Sequence, residues 1–173
     1  MNIDFPTVIE KFDAIVARGF CTGKGAPDGQ MCVEAAITQA MGLPFSDQPS
    51  CVEPAIREYK IILNDANWSS PEARAKGMRD LGIAQIGSVG VVDSQQFAKL
   101  ISERTIRILI PALFRKVFPE NQACLDAADR CEKEGTESAA RSAAAAGDEF
   151  LLLAASIALD VLRELKSPGC EYV

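Results

Sequence analysis

From Phe5 the apolar positions fall at Phe5, Val8, Ile9, Phe12, Ile15 and Val16, the spacing of one face of a 3.6-residue repeat, and Gly19 follows where a left-handed cap is wanted. The pattern predicts a first helix. Residues 20–29 hold three glycines and a proline and read as a loop. A second helix is expected from about Gln30 to Met41, with Cys32, Ala36, Ile37, Ala40 and Met41 inward and Gly42-Leu43-Pro44 stopping it. Ser50-x-x-Glu53 has the form of a capping box for a third helix, whose stripe is Val52, Ala55, Ile56, Tyr59, Ile62 and Leu63 and whose end is Asn64.

Ser69-x-x-Glu72, with Pro71 in the first turn, opens a fourth helix to about Ile86. It holds Gly77 and Gly82, each costing about 1 kcal/mol against alanine, so close helix packing is the expected reason for them. Asp93-x-x-Gln96 opens a fifth helix to about Phe118, with a kink expected near Pro111. From Asn121 to Ala146 the residues are strong helix formers with a weak apolar stripe, ending in the Ala143–Ala146 run. Asp148 is placed to cap a last helix, Glu149 to Lys166, whose face of Phe150, Leu153, Ala154, Ile157, Val161, Leu162 and Leu165 reads as central core. No strand-length alternation survives, because Ala84 to Val92 is the only rival and two glycines interrupt it. The pattern predicts an all-α, single-domain bundle of six or seven helices over residues 1–173.

Composition narrows the chemistry. At 173 residues, 48% hydrophobic and 24% charged, the chain has ordinary globular composition. Its longest strongly apolar run, Phe150 to Leu159, is half of what a bilayer span needs, about 20 residues. The N-terminal residues carry no basic region or small-residue cleavage site, so the expected location is the cytoplasm. Histidine is absent, which excludes histidine bases, histidine zinc sites and Cys-His or Ser-His pairs. Six cysteines without a C-x-x-C support neither a structural zinc site nor, in a chain of this length, a disulfide framework, so no metal or cofactor is expected. Cys124 and Cys131 fall on one helical face, two turns apart, and read as buried packing residues.

The net charge of −6 is uneven. Residues 1–118 carry 13 acids and 13 bases, whereas residues 119–173 carry 11 acids and 5 bases. Clustered cations for duplex nucleic acid are lacking. Arg104, Arg107, Arg115 and Lys116 lie close to one face of the fifth helix, and pairing with the acidic last third is the simplest use for them.

Three local constellations can carry chemistry. Gly23-Lys24-Gly25-Ala26-Pro27-Asp28-Gly29, feeding Gln30 at the second helix, offers a flexible backbone and helix-start N–H groups to an anion, or is a plain interhelical loop. It does not match the P-loop spacing. Cys32, in a first helical turn, is a weak candidate nucleophile; Glu34, two residues on, is expected on another face, so a packing cysteine is the simpler reading. Asn64-Asp65-Ala66-Asn67-Trp68 is either a self-bonded turn or a polar edge beside a stacking surface. Two antiparallel helices would bring the loop and this turn to one end of the bundle, with Arg74 as a counter-charge.

The segment from Cys21 to Ser88 carries the words Gly29-Gln30-Met31-Cys32-Val33-Glu34-Ala35-Ala36, Pro49-x-Cys51-Val52, Asn64-Asp65-Ala66-x-Trp68-Ser69-Ser70 and Ala73-Arg74-x-x-Gly77. It resembles a loose family of short, uncharacterised bacterial and phage proteins sharing Cys-x-Glu-Ala-Ala and Asn-Asp-Ala-x-Trp motifs. The resemblance implies a prokaryotic or phage origin and no particular activity. The function expected is a non-enzymatic binding protein for a small polar or nucleotide-like ligand, for instance sequestering a host defence signal, or for a partner protein. The alternatives are a cysteine- or carboxylate-dependent hydrolase and a structural module that associates with copies of itself.

Overall fold

In the computed structural model, which describes residues 3–134 and 148–173, the chain is an all-α bundle without strands among the described residues. Its helices are α1 (Phe5–Val16), α2 (Val33–Ala40), α3 (Pro54–Asn64), α4 (Pro71–Ala84), α5 (Ser94–Arg104), α6 (Ile110–Val117), α7 (Gln122–Glu134) and α8 (Asp148–Glu164). A π-helical segment, Thr105–Leu109, joins α5 to α6 without a break, so the described residues form seven helices, the fifth of them kinked. Pro111 explains the kink. It has no N–H for the preceding turn, and its ring crowds the carbonyl four residues back, so the turn before it widens.

Helix α2 lies at the centre. Every residue in it except Gln39 is buried, Glu34 and Thr38 included, and α1, α3 and α4 pack around it. α8 lies along α4 and buries Phe150, Leu151, Ala154, Ala155, Ile157, Ala158, Val161 and Leu162. Leu153 and Leu165, expected in the core, are only half-buried; Leu151, Ala155 and Ala158 share the inward face. α6 and α7 pair through a separate small cluster of Ile106, Ile110, Phe114, Ala128 and Cys131. This explains the weak stripe of α7, which needs only enough apolar surface to cover one short helix. Cys124 is half-buried, outside that cluster. The Ala143–Ala146 run lies outside the described residues.

The helix starts show where local chemistry outweighs pattern. Asp93 caps α5 as expected, its carboxylate accepting from Gln96 N at 2.7 Å. The third helix starts three residues, and the fourth one residue, later than its capping box, because each has a proline at its first position, which is favoured there. Glu53 therefore becomes the N-cap of α3, and Ser70, not Ser69, accepts from Ala73 N at 3.1 Å to cap α4. Ser69 instead donates its N–H and hydroxyl to Asp148, tying the start of α8 to the turn before α4. α2 begins at Val33, three residues later than expected, because residues 30–32 are held extended: Met31 bridges to Phe20 and Gly25, and Cys32 has ψ 164°.

Both interior glycines of α4 are contact points. A Cβ on Gly77 would sit 2.4 Å from Trp68 Cη2, and one on Gly82 would sit 2.7 Å from Phe12 Cζ. The basic stripe also behaves as expected. Arg104 pairs with Glu164, Arg115 with Asp129 and Glu132, Lys116 with Glu149, and Arg107 donates to the carbonyls of Glu132 and Lys133.

Candidate functional site

The face of α3 that turns inward is Ile56, Lys60, Leu63 and Asn64. It has the helical spacing i, i+4, i+7, i+8, but Lys60 occupies a central position that the apolar pattern gave to Ile62. Ile62 is 74% exposed, and Lys60 is fully buried. The cause is opposite Lys60 in α2: Glu34, also fully buried, has Oε1 3.1 Å from Lys60 Nζ. Gln85, at the end of α4, donates Nε2 to Glu34 Oε2 at 3.1 Å. Burial pushes the Glu34 carboxyl up and the Lys60 ammonium down, each toward its neutral form, while each group opposes the shift of the other.

The loop after α1 and the turn after α3 meet at one end of the bundle. Gly23 N–H donates to Asp65 Oδ1 at 2.9 Å; the Asn64 amide donates to Cys21 O at 2.9 Å and to Asp65 Oδ1 at 2.8 Å. Asn64 Oδ1 accepts from Val33 N at 3.3 Å, closing the start of α2. Arg74, 7% exposed, fastens the junction from below, donating to the carbonyls of Asn64 and Phe20 at 2.7 and 3.0 Å. Asn64 and Arg74 thus spend their polar groups on the chain itself.

The other residues expected at a ligand site disperse. Trp68 is buried, donates to Leu63 O at 2.9 Å and lies against Gly77, so its ring is part of the core. Gln30 donates to Arg18 O, and Lys24 sits over the Phe45 ring at 5.4 Å. Gly25 has φ +74°, and a Cβ there would meet the Gln30 carbonyl at 2.3 Å, so its role is the close return of the loop on itself. Gly29 is half-buried and Asn67 exposed.

What the junction encloses is a small cavity of about 60 Å³, lined by Gly23, Cys32, Glu34, Asp47, Asn64 and Asp65 together with Val33 and Ile61. Cys32 and Glu34 share it. The expectation that they point to different faces assumed that both are helical, whereas Cys32 is the N-cap and its extended backbone turns Sγ toward Ala35 N at 3.4 Å. Burial pushes its thiol up to about 11, and the neighbouring Glu34 and Asp47 carboxylates push the same way against the helix-start N–H groups. The thiol is therefore protonated at neutral pH and is a poor nucleophile.

Sequence reasoning missed Asp47, Lys60 and Gln85. Lys60 carried a usable signal, since it stands midway between Ile56 and Asn64 on one face; Asp47, in an irregular connection, carried none. Among the described residues no group of acids and cysteines is arranged to hold a metal ion. No helix of the described residues is long and apolar enough to cross a membrane. In comparisons with known proteins, no family model, curated protein or solved structure matches the chain.

Proposed function

We propose that this chain is a non-enzymatic binding protein and that the cavity between the Gly23 loop and the Asn64–Asp65 turn is where it holds a small polar ligand. The observation that carries this reading is the hydrogen bond from Gly23 N–H to Asp65 Oδ1 at 2.9 Å, across 42 residues, beside a pocket lined by thiol and carboxylate groups. A binding role fits the chemistry better than catalysis, because the one nucleophile in the pocket is a thiol that burial, with the Glu34 and Asp47 carboxylates, pushes up despite the Ala35 N–H that donates to it. The ligand is small. Trp68 presents no open face to a nucleobase, and 60 Å³ is the share of about two waters in the liquid. The resemblance of residues 21–88 to short bacterial and phage proteins sets this reading in a prokaryotic or phage context.

Native mass spectrometry of the full chain, followed by amide NMR with whatever is retained, is the direct test. A retained small molecule that shifts the Gly23, Val33 and Asp65 amides supports the reading. A bare mass, and no shift at those amides across a metabolite panel, overturns it and leaves a partner protein as the better proposal.

The hydrolase alternative keeps one observation in its favour: Cys32 and Glu34 line the same cavity, with Lys60 directly behind Glu34. It requires Cys32 to give up its proton to Glu34, and rapid thiolate chemistry at Cys32 would be its signature.

A further inference from the structure

The walls of the cavity differ in kind from those of an anion site. Three of its side chains are carboxylates, Glu34, Asp47 and Asp65, one is a thiol, and no lysine or arginine lines it. The backbone N–H groups that would greet a phosphate are taken: Gly23 N by Asp65, Val33 N by Asn64, Ala35 N by Cys32, and Cys32 N by Lys24 O. Glu34 is fully buried, with its Oε1 facing Lys60 Nζ at 3.1 Å and its Oε2 accepting from Gln85. Burial pushes the Cys32 thiol upward, and the Glu34 and Asp47 carboxylates gathered around it push the same way. Glu34 forms the floor, and the exposed Asp65 with the half-buried Asp47 marks the mouth.

We propose that this cavity binds the ammonium head of a small primary alkylamine. The inference rests on the reading that the cavity is the ligand site, and it names the class of ligand. An ammonium brings three N–H donors and no acceptor, which suits a pocket of acceptors. About 60 Å³ admits the head and its first carbon, with the alkyl stem leaving past Asp47. A bare metal ion fits less well, because the carboxylates do not converge on one point.

The test is a titration of the full-length, isotope-labelled chain with n-butylammonium chloride, with sodium phosphate, tetramethylammonium chloride and a lysine-containing pentapeptide as separate arms. Butylammonium is expected to give saturable shifts at the Gly23, Val33 and Asp65 amides. Phosphate should give none, and tetramethylammonium, a cation without N–H donors, none. Asp47→Asn, which removes a carboxylate that makes no side-chain hydrogen bond or ion pair to the described residues, is expected to raise the butylammonium Kd about tenfold while leaving the rest of the amide spectrum in place. Saturation by phosphate, equal binding of tetramethylammonium, or no saturable effect of butylammonium overturns the proposal. Tighter binding of the peptide than of butylammonium overturns its small-amine form in favour of a protein lysine. If native mass spectrometry retains a non-basic compound that shifts the same amides, the binding-site reading stands and the ammonium inference alone falls. If nothing shifts them, both fall.

Discussion

At the level of single residues, the Glu34–Lys60 pair decides more than any other contact. A buried ion pair contributes little net stability when intact, yet losing one partner strands a charge and costs about 3–5 kcal/mol. Lys60→Met is therefore expected to lower the unfolding free energy by that amount at pH 7, measured by urea denaturation. In Glu34→Leu/Lys60→Met, with no charge left to strand, most of the loss should be recovered. The pH dependence has a definite sign. With Lys60 gone, burial alone holds the Glu34 carboxyl above its unfolded value, so the folded variant binds the extra proton. Its stability is then greatest below the unfolded carboxylate pKa, about 4.3, and falls as pH rises from there through the raised folded value. A variant that is equally destabilised at pH 4 and pH 7 would show that Glu34 is not desolvated. Cys32 gives a second residue-level expectation. With its thiol pushed up to about 11, it should react with iodoacetamide more slowly than the half-buried Cys21 and Cys124 in the folded chain, as read by peptide mapping. Selective, rapid alkylation of Cys32 would favour the hydrolase reading.

At the level of elements, the legible features were those set by local chemistry. The periodicity from Phe5 to Val16, the cap at Asp93 and the kink before Pro111 each depend on residues within one or two turns, and each element formed where its residues demanded. The features that escaped depend on a partner far along the chain. Its place between Ile56 and Asn64 puts Lys60 on the inward face, but nothing local supplies Glu34, 26 residues earlier, as its partner, so the apolar Ile62 looked the better candidate for burial. The site shows the same division. That the Gly23 loop and the Asn64 turn share one end followed from antiparallel neighbours, but which atoms remained open there depended on Arg74, Val33 and Cys21 taking the others. Gly77 turns this into a prediction of sign. Helix propensity alone makes Gly77→Ala stabilising by about 1 kcal/mol. The added methyl would sit 2.4 and 2.6 Å from Trp68 ring atoms, against an indole that is anchored to Leu63 O. The expected outcome is net destabilisation with altered Trp68 fluorescence; a stabilised variant with unchanged emission would mean that the indole moves aside freely.

Across the whole molecule, stability is expected to be uneven because the two clusters differ in kind. The main core gathers side chains from α1 to α5 and α8 around α2, whereas α7 is held by two buried residues, Ala128 and Cys131, and by exposed ion pairs from Arg115 to Asp129 and Glu132. Exposed pairs are worth about 0–1 kcal/mol each and weaken with salt. Arg107 adds bonds to the carbonyls of Glu132 and Lys133, again from an exposed position. The excess negative charge of residues 119–173 opposes the docking of α7 through like-charge repulsion, and the arginines of the kinked helix offset it. Local opening should therefore begin at α7, well below the free energy of global unfolding. Native-state hydrogen exchange is the measurement: amides of α2 should exchange only with global unfolding and those of α7 several orders of magnitude faster. Because screening acts on the attractive pairs of α6 and α7 but not on the dry contacts around α2, raising NaCl from about 0.05 to 0.5 M should accelerate exchange in α7 and leave α2 unchanged. Protection of α7 equal to that of α2, or exchange in α7 indifferent to salt, would place its stability in the five-residue apolar cluster instead of in the charge pairs.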